Sequence, residues 1–186
     1  MTYKTQVGII GSGPAGLLLS QLLYLNGIES IILEKHTRAH VEGRIRAGIL
    51  EQGTVDMLEE AKVAERLHKE ALTHTGIGIQ FNDEVHRIDF NVQSTGKSVT
   101  VYGQTDLTKD LMDVHADREQ DPVYEAKDVS ISGIEADNPI LSYIQKGENH
   151  TVECQFVVGC DGYHGISRDH FPKSVLKIYE KVYPFG

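Results

Sequence analysis

Hydrophobic positions in the first part of the chain change from strand spacing to helix spacing and back. Residues 5–10 are mostly apolar and β-branched, and a glycine-rich turn leads from them into residues 14–26, where leucines recur at helical intervals. After an Asn-Gly pair that is typical of a helix end, a second short apolar run, Ser30–Leu33, stops at Glu34. This order predicts one βαβ unit.

The rest of the chain is predicted to form short helices and strands. Apolar spacing between Leu50 and Glu70 predicts two short helices, and residues 105–117 are predicted to form a helix capped by Thr105, with an acidic residue in its first turn. Strand-like patterns predict strands at residues 76–81, 84–90, 98–102, 127–134, 140–144, 151–158, 175–179 and 182–185. Because the last two reach the C-terminus without a cap or polar tail, we expect a truncated chain.

Length and charge narrow the class of protein. A chain of 186 residues suits one α/β domain. With 18 basic and 27 acidic residues, the net charge of −9 offers no attractive surface to nucleic acid or an anionic membrane. No run approaches the roughly 18–20 apolar residues of a membrane span, and the first five residues lack a secretory signal core. We therefore expect a cytoplasmic protein without a nucleic-acid or membrane partner.

The two cysteines, Cys154 and Cys160, lie six residues apart. Neither has histidine or cysteine partners at the spacing of a zinc site. A ligand pair or a disulfide is the alternative, but the spacing favours reduced, buried thiols. The sequence therefore predicts no metal site.

The turn after the first strand carries the first chemical motif, Gly-Ser-Gly-Pro-Ala-Gly. This motif fits the dinucleotide-binding fingerprint, in which glycines make a tight turn, admit a pyrophosphate and let the helix pack on the strand. Glu34, 18 residues after the last glycine, ends the next strand, where it can accept hydrogen bonds from a ribose. A loop that serves only packing is the alternative. The candidate cofactor residues here are Gly11, Gly13, Ala15 and Gly16.

A second motif places two arginines, Arg44 and Arg46, between Gly43 and Gly48. Flexible backbone beside fixed positive charge suits a loop along a diphosphate, because guanidinium binds phosphate oxygens in a planar fork. The arginines could instead be solvated charges in a surface turn. The neighbouring fingerprint favours the ligand-binding interpretation.

The third motif, residues 159–168, follows a predicted apolar strand. Asp161 at the carboxyl end of that strand is well placed to hold a ribityl or ribose hydroxyl. An Asp-Gly turn without a ligand is the alternative. His164 and Arg168, four residues apart, could face a phosphate of a nicotinamide cofactor, although solvated side chains are the simpler interpretation of these two residues alone.

Taken together, these segments resemble the flavoprotein aromatic hydroxylases, in particular those that act on 4-hydroxybenzoate. The matching segments are residues 43–53, 101–105, 159–168 and 182–186, at nearly constant spacing, and they cover about the first half of such an enzyme. The resemblance implies an α/β fold, with a Rossmann-like FAD-binding domain built from a central parallel sheet, helices and a β-meander. It also implies that residues 1–186 include the start of a substrate-domain sheet.

The resemblance also implies roles for individual residues. The fingerprint turn and Glu34 would hold the adenosine part of FAD, and Asp161 would serve both FAD and NADPH. The segment that reads the 2′-phosphate of NADPH departs from the family pattern at two histidines, so the preference for NADPH or NADH stays open. Ala15 stands where the family often has a serine. The residues implied to line the diphosphate and flavin are Arg44, Ile45, Arg46, Ala47, Gly48, Ile49 and Gln104, those implied to contact NADPH are His164 and Arg168, and the 2′-phosphate segment contains Lys35, His36, Arg38 and His40.

The activity implied by the resemblance is FAD-dependent hydroxylation of 4-hydroxybenzoate to 3,4-dihydroxybenzoate with NADPH, or NADH, and oxygen. The residues that grip the phenol belong to the part of such enzymes beyond this chain, so no catalytic residue is predicted here. Two alternatives stay open: a fragment that binds FAD or a nucleotide without turnover, and a hydroxylase of another phenol. The complete enzyme could form a homodimer.

Overall fold

The computed structural model describes residues 1–93, 96–172 and 174–184. Its helices are α1 (Pro14–Leu25), α2 (Arg38–Glu42), α3 (Gln52–Glu60), α4 (Glu65–Glu70), α5 (Phe90–Gln93) and α6 (Gln104–Asp117), followed by a 3-10 turn at Ser167–His170. Its strands are β1 (Thr2–Ile10), β2 (Ser30–Leu33), β3 (Ile49–Glu51), β4 (Leu72–His74), β5 (Gly76–Phe81), β6 (Glu84–Asp89), β7 (Val99–Val101), β8 (Lys127–Ser132), β9 (Ile140–Gln145) and β10 (Glu148–Gly159).

The main sheet has five strands in the order β2-β1-β10-β9-β8. The three strands β2, β1 and β10 are parallel, and Ile10 pairs with both Leu33 and Gly159, so their carboxyl ends lie at one edge. Strands β8, β9 and β10 form an antiparallel meander. This sheet and its helices confirm the predicted α/β class and the predicted βαβ unit.

Alternating side chains of β1 face two apolar layers. Val7 and Ile9 pack with the helices α1, α3, α4 and α6, whereas Ile10 packs with the meander. Gly8 gives the meander room, because a Cβ there would stand 2.7 Å from the Leu141 side chain. Each layer removes several large apolar side chains from water, which is the main favourable contribution to folding. The central sheet is therefore rigidly held from both sides.

The two cysteines are free thiols. Cys154 is buried, as predicted, and Cys160 is half-buried. Burial raises the pKa of both thiols, so they are poor nucleophiles at neutral pH.

Two smaller sheets lie outside the main one. Strands β3, β7 and β4 form an antiparallel sheet, and β5 and β6 form a hairpin. Ile77, Ile79 and Phe81 of this hairpin are exposed. The expected start of a substrate-domain sheet within residues 1–186 stays a prediction.

Two local predictions were wrong. Thr105 does not cap α6, because the helix begins at Gln104 with Gly103 as its N-cap, and the Thr105 hydroxyl instead donates to the Arg44 carbonyl at 3.5 Å. The acidic residue expected in the first turn is Asp106. Residues 175–179 and 182–184 form no strand, since none of the described strands pairs with them; Phe185 and Gly186 lie outside the described residues. No helix in the described part of the chain is both long and apolar enough to cross a membrane.

Candidate cofactor site

Two of the three sequence motifs, the fingerprint turn and residues 159–168, meet at the carboxyl edge of the parallel strands. The Gly11 amide donates to the Leu33 carbonyl at 2.8 Å, and the Cys160 amide donates to the Ile10 carbonyl at 2.7 Å. These bonds join the turn after β1 to the end of β2, and the turn after β10 to the end of β1. Open α/β sheets bind ligands in the crevice at this edge.

The glycines of the fingerprint turn differ in what surrounds them. Gly11 has φ +101°, and a Cβ there would stand 2.5 Å from the Cys160 carbonyl oxygen. A Cβ on Gly16 would overlap the Gly11 carbonyl oxygen. Gly13, by contrast, has no heavy atom within 4 Å of its Cβ position. The outer glycines therefore serve packing, while the middle glycine leaves free space.

That free space lies at the N-terminus of α1. Gly13 is the N-cap and makes no side-chain capping bond, and the first turn has no acidic residue. The first N–H groups of a helix lack intrahelical acceptors, and the helix dipole favours an anion beside them by about 0.3–1 kcal/mol. Ala15 is exposed in this first turn. The geometry suits a phosphate group.

Glu34 is buried, with 7% of its surface exposed, and its carboxylate is held by the chain itself. It accepts hydrogen bonds from the Ser12 amide at 3.0 Å and the Ser12 hydroxyl at 3.1 Å. Its other oxygen accepts from the His36 amide at 2.8 Å. Since a carboxylate can accept about four hydrogen bonds, Glu34 fixes the fingerprint turn and retains capacity for one further donor.

The segment after Glu34 contains two stacked histidines. The rings of His36 and His40 lie 4.0 Å apart at 22°. Partial burial, followed by the neighbouring His40, lowers the pKa of His36. The Thr37 hydroxyl accepts from the His40 amide at 3.2 Å and caps α2. At neutral pH His36 therefore contributes little positive charge.

Arg38 is engaged within the chain. Its guanidinium lies 3.0 Å from Asp121 and 3.5 Å from Asp113. Lys35 is exposed, without an ion pair to any residue in the described ranges. Lys35, unlike the paired Arg38, is therefore free to meet a 2′-phosphate.

The loop of residues 43–48, called here the arginine loop, crosses from α2 to β3. The side chains of Arg44, Ile45, Arg46 and Ala47 are exposed, and Ile49, which begins β3, is 66% exposed. Gly48 approaches the chain closely, since a Cβ there would lie 2.7 Å from the Tyr102 carbonyl oxygen.

Gln104 begins α6 directly beside this loop and is half-buried. Its carbonyl accepts from the Thr108 hydroxyl at 2.7 Å. The neighbouring Thr105 hydroxyl reaches the Arg44 carbonyl. The start of α6 therefore contacts the arginine loop, while the role of Gln104 beside the flavin stays a prediction.

Asp161 lies beside the fingerprint turn, with its Cα 2.9 Å from the Cβ position of Gly11. Its carboxylate accepts from the Ser167 amide at 3.0 Å and the Ser167 hydroxyl at 2.9 Å. Gly165 must be glycine because a Cβ would overlap this carboxyl group. An open, largely apolar cavity of about 810 Å³ adjoins Asp161.

His164 and Arg168 are exposed and meet at one aromatic ring. His164 contacts Tyr163 edge to face at 5.0 Å, and the Arg168 guanidinium lies 4.8 Å from the centre of the same ring. Arg168 also donates to the Tyr163 carbonyl at 2.6 Å. The structure brings the two side chains together, while a role in NADPH binding stays a prediction.

Two residues of this edge were not predicted as site residues from the sequence. Ser12 is fully buried on Glu34, and Ser167 closes the turn around Asp161. Both lie inside motifs that were recognised, but a serine in a motif does not reveal which carboxylate it meets. Within the described ranges, no cluster of histidine, cysteine, aspartate and glutamate could hold a metal ion.

Comparison with known proteins places this geometry in a wider context. A family described as FAD binding domain matches residues 4–186. Over 185 residues the chain is 49% identical to p-hydroxybenzoate hydroxylase of Acinetobacter baylyi. The alignment covers 100% of this chain and 46% of that relative. The chain therefore spans about half the length of this curated relative. The resemblance predicted from the motifs is confirmed.

Solved structures of lower identity share the fold. The p-nitrophenol 4-monooxygenase PnpA from Pseudomonas putida is 19% identical with a TM-score of 0.75, over 90% of this chain and 43% of that one. The flavin-dependent monooxygenase PieE, solved in complex with FAD and substrate, is 22% identical with a TM-score of 0.67, over 87% of this chain and 31% of that one.

Proposed function

We propose, from the premise that the chain belongs to the family of FAD-binding domains, that it binds FAD along the carboxyl edge of its parallel sheet. The carrying observation is the open N-terminus of α1 at Gly13, which directly follows Gly11 beside Asp161 and Ser12 on Glu34. A phosphate there meets unpaired N–H groups and the positive end of a helix dipole. In this proposal the diphosphate lies in front of the fingerprint turn.

The other residues take their places around that diphosphate. Glu34 accepts a hydrogen bond from the adenosine ribose with its remaining capacity, and Asp161 accepts one from the ribityl chain. Arg44 and Arg46 bring positive charge to the phosphates, and Gln104 borders the flavin. The exposure of both arginines and the absence of an ion pair to either within the described ranges support this role.

We further propose that the complete protein hydroxylates 4-hydroxybenzoate to 3,4-dihydroxybenzoate. In this reaction NADPH and a proton are consumed with one O₂, one oxygen atom enters the ring and the other leaves as water. Bound FAD supplies the redox chemistry, whereas the residues of this chain bind and orient it. The 49% identity to p-hydroxybenzoate hydroxylase over the whole chain supports this substrate above another phenol.

The preference for NADPH or NADH follows from the 2′-phosphate segment. Lys35 is its free cation, because Arg38 is paired with two aspartates and burial lowers the pKa of His36. We propose NADPH as the donor, with less discrimination against NADH than a segment with free arginine would give. His164 and Arg168 are proposed to contact this second cofactor.

A second candidate is a cofactor-binding half that has no turnover by itself. It is supported by the chain's coverage of 46% of its relative and by the absence of a predicted catalytic residue among residues 1–186. It shares FAD binding with the first candidate and differs from it in catalysis.

One experiment tests both candidates. The 186-residue chain is titrated with FAD while the visible spectrum is recorded, and NADPH oxidation is then followed with and without 4-hydroxybenzoate. A perturbed flavin spectrum supports FAD binding, and substrate-stimulated oxidation supports the hydroxylase. A perturbed spectrum without turnover supports the half-enzyme, while an unperturbed spectrum at saturating FAD contradicts FAD binding by this chain.

A further inference from the structure

The arginine loop depends on few contacts for its position. Residues 44–48 adopt no regular secondary structure. On the side of α2, the Gly43 amide donates to the Ala39 carbonyl at 2.9 Å. On the side of β7 and α6, the Gly48 carbonyl accepts from the Tyr102 amide at 2.8 Å, and the Arg44 carbonyl accepts from Thr105. The second set of contacts joins the arginine loop to Tyr102 and to the start of α6.

Tyr102 is itself held by a polar network beneath the loop. It is 4% exposed, and its hydroxyl donates to the Asp110 carboxylate at 2.5 Å, across two turns of α6. The other oxygen of Asp110 lies 3.1 Å from the Arg66 guanidinium of α4. Arg66 also pairs with Asp106 and, at 3.2 Å, with Glu70.

The chemistry of this network suits a fixed position. The Arg66 guanidinium lies 5.8 Å from the centre of the Tyr102 ring, so the ring is enclosed by α4 and α6. Burial, followed by the bond to Asp110, raises the pKa of Tyr102, and it therefore stays a donor at every physiological pH. Burial also raises the pKa of Asp110. A bond from a neutral donor to a buried carboxylate is stronger than one between neutral groups.

We propose that Tyr102, anchored by Asp110 and Arg66, is a positioning residue that fixes the arginine loop before FAD arrives. This inference rests on the proposed FAD-binding function, because it assigns Tyr102 a purpose in binding beyond packing. A loop held in its binding geometry loses less conformational entropy on binding and so binds more tightly.

The test compares three forms of the full chain: wild type, Y102F and E70Q. Y102F removes the hydroxyl and keeps the ring. E70Q is the matched control, because it alters another partner of Arg66, one that makes no hydrogen bond to Tyr102 or Asp110 among the described residues. Hydrogen exchange is measured without FAD at the amide of position 102, which bonds to the loop, and at the amides of β1, which report global opening.

With Y102F we expect exchange at position 102 to rise by about 10- to 100-fold, the range that loss of one hydrogen bond to a charged group gives, and by more than in β1. FAD affinity should fall by a similar factor, and E70Q should change neither quantity. Equal acceleration in β1 and at position 102, or unchanged exchange at position 102, would overturn the proposal. Wild type that binds no FAD would instead contradict the proposed function, while the exchange comparison would still decide whether Tyr102 anchors the loop.

Discussion

Replacing Gly13 with alanine separates cofactor binding from folding. Gly13 has φ −67°, which alanine adopts freely, and its Cβ position has no heavy atom within 4 Å. The free protein therefore loses only the N-cap preference of glycine over alanine, up to about 1 kcal/mol. FAD binding should suffer more, because the new methyl group stands where the diphosphate would meet the helix N-terminus.

The expected loss of affinity follows from the bonds that the methyl group displaces. A hydrogen bond from a backbone N–H to a charged phosphate contributes about 1.5–3 kcal/mol. Since about 1.4 kcal/mol corresponds to tenfold in affinity, losing one such bond raises the Kd for FAD by about 10- to 100-fold. Flavin fluorescence titration measures this change, and urea unfolding measures stability on the same samples.

Two further glycines serve as controls. Gly53 in α3 also has an empty Cβ position, so Gly53→Ala should leave FAD affinity unchanged. Gly16→Ala would press a methyl group into the Gly11 carbonyl and should destabilise the fold by about 1–3 kcal/mol or more. If folded Gly13→Ala protein binds FAD as tightly as wild type, the diphosphate does not lie at this helix end, and the assignment of the fingerprint is refuted.

Three other predictions concern buried or half-buried polar groups. Glu34→Ala strands the buried Ser12 donors and should cost about 1–3 kcal/mol in urea unfolding, with weaker FAD binding per folded molecule. Asp161→Ala releases Ser167 and should weaken FAD retention, and unchanged affinity in a titration would contradict its role. His115 is fully buried, and burial lowers its pKa to about 4. The unfolded chain binds the proton with a pKa near 6.5, so the contribution of neutral His115 to the free energy of unfolding is fully present above that pH. This free energy falls by up to about 3 kcal/mol as the pH is lowered towards 4. H115L should remove this pH dependence in urea unfolding measured at several pH values.

Much of the fold was readable from short stretches of sequence. The strands Ser30–Leu33 and Gly76–Phe81 have the predicted bounds, because a local apolar pattern between turn residues specifies them. Residues 175–179 have a similar pattern and form no strand. A strand requires a partner as well as a pattern, and pattern alone cannot supply that information.

The site was predictable to the same extent. The motifs identified Glu34, Asp161 and the arginine loop as candidates, since each combines glycine with a charged group beside a predicted strand or loop. The partners of those groups were not predictable. The hydrogen bonds from Ser12 to Glu34 and from Ser167 to Asp161 depend on how each turn closes.

By itself, the sequence determined the alternation of strand and helix, the three motifs of the candidate site, and the family to which the chain belongs. Tertiary structure alone decided that turns near residues 11, 34 and 161 share one edge, and that Tyr102 meets Arg66 beneath the arginine loop. The reason is physical. Sheet order and helix packing minimise the free energy of the whole chain, so contacts between distant residues follow from many small burial and hydrogen-bond contributions that no local pattern contains.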